Sequence, residues 1–137
     1  MDPRAFLTVT GNLHASGEEA NRRTAVSRAY YALYLTAHQL LKAETLPLHD
    51  GPADHRRVPE YLMASGNQEI ENVGKVLQDL RHERVLADYR MNESKFNQNL
   101  CALIFAKARQ SLNVLDSLDR GAKRVIVANI KAQHNFP

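Results

Sequence analysis

Ala25, Ala29, Leu33, Ala37 and Leu41 recur at a constant spacing of four residues, and nothing else in the chain restricts its fold as tightly. A four-residue step puts all five on one face of an α-helix, each above the last. The alanines among them are short enough to let a second backbone approach closely. The seam therefore predicts a long helix with another helix packed directly against it. The rest of the chain reads the same way. Helical periods recur throughout, there is no sustained apolar–polar alternation, and no Asn-Gly hairpin signal is present.

Caps and breakers divide the chain. A short helix is expected over residues 3–13, with Asp2 as its cap and Pro3 at the first helical position, weakened in its last turn by Gly11. Ser16 and Glu19 have the spacing of a capping box and open the long seam helix, which runs to about Ala43. Residues 46–52 hold two prolines and a glycine and read as a loop. A second short helix, bent near Pro59, covers residues 53–63, and Ser65-Gly66-Asn67 breaks it. The next helix runs from Gln68 to about Leu86 with Ile70, Val73, Val76, Leu77 and Leu80 on one stripe, followed by a polar linker over 88–93. Ser94 is the expected cap of the last long helix, whose core face is Phe96, Leu100, Leu103, Ile104, Ala108, Leu112 and Leu115. Gly121 ends or kinks it, and residues 120–133 form a further basic helix with a narrow stripe of Val125, Ile126 and Ile130. The expected fold is all-α: an up-and-down bundle of about three long helices plus short accessory helices. It forms a single domain over 1–137, with 120–137 as a basic C-terminal extension.

A chain of this size buries roughly two thirds of its unfolded surface in one core. The one cysteine, Cys101, lies in an apolar run and reads as a small buried hydrophobe. That excludes a disulfide framework and makes a reducing cytoplasm the expected location. The N-terminus lacks the basic start and apolar stretch of a signal peptide. No window of about 18 uncharged apolar residues exists to span a membrane. Residues 120–137 hold Arg120, Lys123, Arg124 and Lys131 and no acid, while the rest carries 14 bases against 15 acids. The positive excess thus sits in the tail, with a local cluster at Arg22, Arg23 and Arg28. Such a tail suits a nucleic acid or an acidic partner.

Few residues offer chemistry. None of the six histidines stands at a helix-borne metal-ligand spacing. His49-Asp50 and Asp54-His55 flank one loop, and no metal or cofactor is expected. Ser27 and Ser111 lie inside helices with no base nearby in sequence, and the glycines are isolated, so no phosphate-cradling loop exists. Residues 81–89 (RHERVLADY) are the one polar constellation with a mechanism. Arg81 and Arg84 share a face near a helix C-terminus, where cations suit the dipole. With His82, Asp88 and Tyr89 turned to the same cleft, the group supplies phosphate anchors, an acid or base, and a hydroxyl. Those are the parts needed to cut RNA without a metal. The same residues equally suit a structural role, with Asp88 paired to Arg28. Tyr30 and Tyr34 stack on one side of their helix, and Tyr31 faces elsewhere, near Arg28 and His38. The three read as core and dimer packing, or as a surface on which RNA bases stack.

SRAYYALY at 27–34, a His-Asp-Gly loop and RxxADY at 84–89, in that order and spacing, resemble the HEPN superfamily of small helical proteins. The likeness covers most of residues 16–118. It implies a homodimer with a cleft between the copies and RNA as the target. The corresponding role is the toxin-type component of a toxin–antitoxin or defence module, away from any membrane. HEPN ribonucleases carry an arginine followed at a short interval by a catalytic histidine. Arg81-His82 matches the opening of that motif, but Asp88 stands at the histidine position. Aspartate ordinarily titrates at about pH 4 and is a poor proton donor near neutrality. The resemblance therefore implies Arg81 and Asp88 as the catalytic pair of an incomplete metal-independent endoribonuclease motif. Arg81, Arg84, Arg28 and His82 become RNA phosphate contacts. Tyr89 becomes a site of adenylylation by a cognate nucleotidyltransferase-type antitoxin. The alternative is a catalytically inactive interaction module that holds such a nucleotidyltransferase.

Overall fold

The computed structural model describes residues 1–137 and contains six α-helices and no strand. They are α1 (Ala5–Leu13), α2 (Glu19–Ala43), α3 (Asp54–Met63), α4 (Gln68–Tyr89), α5 (Gln98–Asp116) and α6 (Arg120–His134). No helix is long and apolar enough to cross a membrane.

Helix α2 is the centre of the assembly and packs on α1, α3, α4 and α5. Its seam explains why: Ala25, Ala29, Leu33, Ala37 and Leu41 are each 0% exposed. Val26 is buried too, and Tyr31 and Leu35 are half-buried against the same core, so α2 leaves little apolar surface uncovered. As α4 steps back from Asp88 to Arg84, its partners on α2 step forward from Ser27 to Tyr30, so the two run antiparallel. Helix α5 starts beside Arg22 and ends beside Leu40, parallel to α2. One contiguous buried cluster joins α2 through α6, with Phe6 and Leu7 of α1 packed against it.

Several boundaries differ from the sequence expectation, each because a side chain elsewhere decided them. Helix α1 starts at Ala5 rather than Pro3, and the Asp2 carboxylate accepts the Arg4 amide just ahead of it. Ser16 and Glu19 form no capping box. The Ser16 hydroxyl instead accepts the Glu18 amide and the Asn21 side chain, and so orders the turn that enters α2. Helix α4 continues to Tyr89, past Leu86 and into the expected linker. Arg23 makes this possible: its guanidinium, almost fully buried, donates to the carbonyls of Leu86, Ala87, Arg90 and Glu93. A cation is thus held where the helix has unpaired acceptors and the negative end of its dipole.

The cap of α5 is Asn97, not Ser94; its side chain accepts the Leu100 amide. Phe96 therefore precedes the helix, buried all the same, with Arg22 Nε donating to its carbonyl. Leu103, expected on the core face, points outward and is 50% exposed, while Cys101 and Ser111 lie on the buried face. Gly121 lies in the first turn of α6, whose cap is Asp119. Ile126, Val127 and Ile130 form the buried stripe of α6, and Val125 faces out. The basic extension is thus docked. Asn129 donates to the Ser65 carbonyl, and His134 and Phe136 stack edge-on to Tyr61.

Candidate phosphate-binding cleft

Three helices, α2, α3 and α4, meet along a line of aromatic and charged side chains. Tyr30 and Tyr34 sit one turn apart on α2 and stack with centroids 5.6 Å apart. His55, from the first turn of α3, lies flat on Tyr34 at 4.2 Å, and its Nδ1 shares a hydrogen bond with the Tyr30 hydroxyl. Burial pushes the Tyr30 hydroxyl well above the ordinary tyrosine range. The Tyr34 hydroxyl rises to about 12, from burial and the nearby Asp54 charge. Both phenols therefore stay protonated. Both rings are also enclosed, so neither is a platform for RNA bases, and His38 lies beside Tyr34 rather than Tyr31.

Asp54 anchors one end of the line. Its carboxylate, without exposed surface, takes His38 Nε2 at 3.0 Å, the amides of His49 and Asp50, and Arg57 Nη1 at 3.4 Å. Burial alone would raise its pKa, but those donors outweigh it and hold the group at about 2. The ligand atoms of His38, Asp50 and Asp54 lie within 4.8 Å of one another. Asp50, however, also pairs with Lys42, so a cation there would compete with Lys42 and Arg57. The trio serves to hold the 49–54 turn against α2.

The other end is basic. Arg28 and Arg84 each place a guanidinium 5.5 Å from the Tyr31 ring, and Arg84 also lies over Tyr30 at 5.4 Å. At these distances the ring faces attract the cations. Asp88 is the one carboxylate between them. It pairs with Arg84 at 3.7 Å and accepts the Ser27 hydroxyl at 3.4 Å. The expected Asp88–Arg28 pair does not form. Asp88 is helical, one turn from Arg84, and Arg28 reaches it only through Ser27. The Nε atoms of both Arg28 and Arg84 are buried without a hydrogen-bond partner.

Arg81 and His82 are exposed on the next turn of α4. With His55, Arg56, Gln78, Pro59 and Val85 they line an open cleft of about 360 Å³ between α3 and α4. His55 is kept neutral near pH 7. Burial lowers its pKa first, and the charges of Arg81 and Arg84 lower it further. Tyr89 ends α4 with 69% of its surface exposed to solvent.

Arg28, Arg84 and Asp88 are thus brought together around Tyr31, and Arg81 and His82 share the adjoining cleft. Tyr89 belongs to neither group. The residue missed in sequence is His55. It is far from the 81–89 segment along the chain, and beside Asp54 it read only as part of a loop flank weighed, and set aside, as a metal site. Arg22 and Arg23, counted there as a basic cluster, donate to backbone carbonyls, Arg23 buried and Arg22 half-buried. No protein-family model, curated protein or solved structure matches the chain. What the fold defines is an all-α protein with a guanidinium-rich cleft between α3 and α4.

Proposed function

We propose that this protein is the RNA-directed, toxin-type component of a toxin–antitoxin or defence module, with a HEPN-like helical bundle that grips RNA phosphates at the Arg28–Arg84–Arg81 cleft. The observation that carries the reading is the charge imbalance around Tyr31. Two half-buried guanidiniums each stand 5.5 Å from one ring, with a single carboxylate paired to one of them, and Arg81 lines the cleft beside them. Buried charge without a counter-charge is costly, so such a pair is best explained by an anion that arrives from outside. Phosphodiesters match guanidinium geometry and charge. The pairing of two copies, each bringing one cleft, would align two phosphate sites on one RNA.

Binding of a fluorescent single-stranded oligoribonucleotide, followed by anisotropy across a salt series, tests the proposal. Arg81→Ala combined with Arg84→Ala is expected to weaken binding and to flatten the log–log salt slope by about 1.4, since each lost contact to a single strand removes about 0.7. An unchanged slope for this variant, with its helical circular dichroism intact, would refute the site. A second reading has one observation in its favour, the exposure of Tyr89 at the end of α4. In that reading the chain is a catalytically inactive module whose tyrosine is presented to a nucleotidyltransferase-type partner. RNA would then fail to bind, and Tyr89→Phe would abolish nucleotide transfer by that partner.

A further inference from the structure

We propose that the groove between α4 and α5, across α4 from the arginine cleft, is a docking site for one amphipathic helix of a partner protein, with an apolar stripe flanked by lysines or arginines. The inference is independent of the RNA-binding reading. Two open hollows, of about 380 Å³ and 270 Å³, lie end to end along the seam of the two helices and meet at Lys107. The first is walled by the N-terminal half of α4 and the C-terminal half of α5, the second by the opposite halves. Together they make one trough along an antiparallel pair.

The residue spacing says that a helix fits there. Glu69, Asn72, Val76, Asp79 and Glu83 form the α4 wall, at steps of three, four, three and four. Leu100, Leu103, Lys107, Gln110 and Val114 form the α5 wall, with the same steps. This alternation is that of the a and d positions by which one helix meets another. Each helix already buries a separate stripe in the core, Ile70, Val73, Leu77 and Leu80 on α4 and Ile104, Ala108, Ser111 and Leu115 on α5. The walls are therefore second stripes, one residue ahead of the buried ones, and they converge on the trough from its two sides. Val73, Leu80 and Ile104, all buried, floor it. From Glu69 to Glu83 the trough runs about 21 Å, close to four turns of a docked helix.

Charge says which helix. The α5 wall is aliphatic at both ends, with Leu100 and Val114 half-buried and Leu103 exposed. It suits an apolar stripe. The α4 wall carries three carboxylates, Glu69, Asp79 and Glu83, and Lys107 is the one lysine or arginine that lines the trough. The chain as a whole has a net charge of +3, so this wall is acidic against the overall balance. Glu83 is only partly satisfied. Lys95 Nζ holds one of its oxygens at 2.8 Å, and Oε2 is enclosed without a donor. A cation on the docked helix supplies what that carboxylate lacks. The same wall repels phosphates, so a nucleic acid is excluded from the trough, and a helix with basic flanks is drawn to it.

The probe is a fluorescein-labelled synthetic helix of about 18 residues, with leucine at its a and d positions and lysine beside them. One control peptide has alanine in place of the leucines, and another has glutamate in place of the lysines. Anisotropy with the full chain should show the lysine peptide bound, the alanine control about tenfold weaker, and a decline in affinity with added salt. Leu103→Glu should weaken the lysine peptide about tenfold. Glu69→Lys combined with Asp79→Lys, both at exposed positions, should weaken it by a similar factor. The same double variant should bind the glutamate peptide more tightly than the wild-type chain does. Arg81→Ala with Arg84→Ala should leave the lysine peptide's affinity unchanged, which separates this site from the RNA cleft. Failure of the lysine peptide to bind, or equal affinity for the charge-reversed variant and the wild type, would overturn the inference. So would loss of binding in the arginine variant, which would put the peptide in the other cleft. A doubled mass in light scattering that Leu103→Glu alone returns to the single-chain value would show that a second copy covers the trough, and would overturn it as well. If Leu103→Glu loses its helical circular dichroism, the charge reversal decides.

Discussion

Asp54 has no exposed surface, yet it gathers an imidazole, two backbone amides and a guanidinium. Its folded pKa of about 2 lies below the ordinary value of 3.8. A depressed carboxylate contributes stability that is complete above the unfolded value and is lost as pH falls through the folded one. Asp54 alone should therefore remove roughly 2 kcal/mol between pH 5 and pH 2. Urea unfolding at several pH values checks this. Asp54→Asn should be the less stable protein at pH 6 and show a visibly flatter decline in acid. A wild-type curve as flat as that of the variant would mean the carboxylate is not held as described. Arg23 is the opposite case at the same scale. Its charge is spent on the carbonyls at the end of α4, with the Phe96 ring 5.2 Å away. Counting it as a surface cation, as composition suggests, assigns it to the wrong partner. In sequence Arg22, Arg23 and Arg28 are indistinguishable. Their partners separate them, backbone carbonyls for Arg22 and Arg23 and the Tyr31 ring for Arg28, and those partners are set by tertiary packing.

At the scale of elements, the fit of α3 on α4 positions the cleft, and it depends on Gly74. A Cβ at that position would meet Met63 Cγ at 2.9 Å, the Pro59 carbonyl at 3.0 Å and Leu62 Cβ at 3.2 Å. The methionine can swing aside; the carbonyl cannot. Pro59 also lacks an N–H, so the His55 carbonyl has no helical donor four residues on, and the turn carrying His55 is held mainly by its packing. Replacing a helical glycine by alanine ordinarily gains about 1 kcal/mol, and overpacking a close contact costs about 1–3 kcal/mol. Gly74→Ala should therefore lower the denaturation midpoint by a net cost near 1 kcal/mol. A raised midpoint would show that α3 and α4 separate freely and that the cleft between them is not rigid. The stripe of α4 was legible from its period, since Ile70, Val73, Leu77 and Leu80 are all buried. The role of Gly74 was not, because a glycine carries no side chain by which a pattern can register it. The caps of α2 and α5 were misplaced for a related reason. Ser16, Ser94 and Asn97 all have capping chemistry, and the choice among them follows from where Arg22 ties the Phe96 carbonyl.

For the whole molecule, the apolar residues left outside the core are informative. Val85 and Tyr89 lie one turn apart on α4, and Met91 follows them; all three are exposed, and Val85 lines the basic cleft. A second copy docked on that face would cover them and bring two clefts near one axis. Light scattering at micromolar concentration should give twice the chain mass of 15.5 kDa. Val85→Glu together with Tyr89→Glu should return it to that single-chain mass, since like charges placed opposite one another across a two-fold axis repel. A single-chain mass for the wild type would leave each cleft to act alone.

The sequence by itself determined that the chain is helical, that another helix packs directly on the α2 seam, and that an arginine pair lies in the second half of the helix that begins at Gln68. Each of these follows from local spacing, because the 3.6-residue period writes the buried face of a helix into the order of its residues. The docking of α6, the Arg23 clasp and the placement of His55 beside Arg81 were decided only by tertiary structure. All three join residues distant along the chain, and no local pattern records which helix faces will meet. The chemistry of the cleft depends on that meeting. His55 becomes an ordered imidazole with a lowered pKa only when α3 lays it on Tyr34, brings its Nδ1 to the Tyr30 hydroxyl and sets it near two guanidiniums from α4.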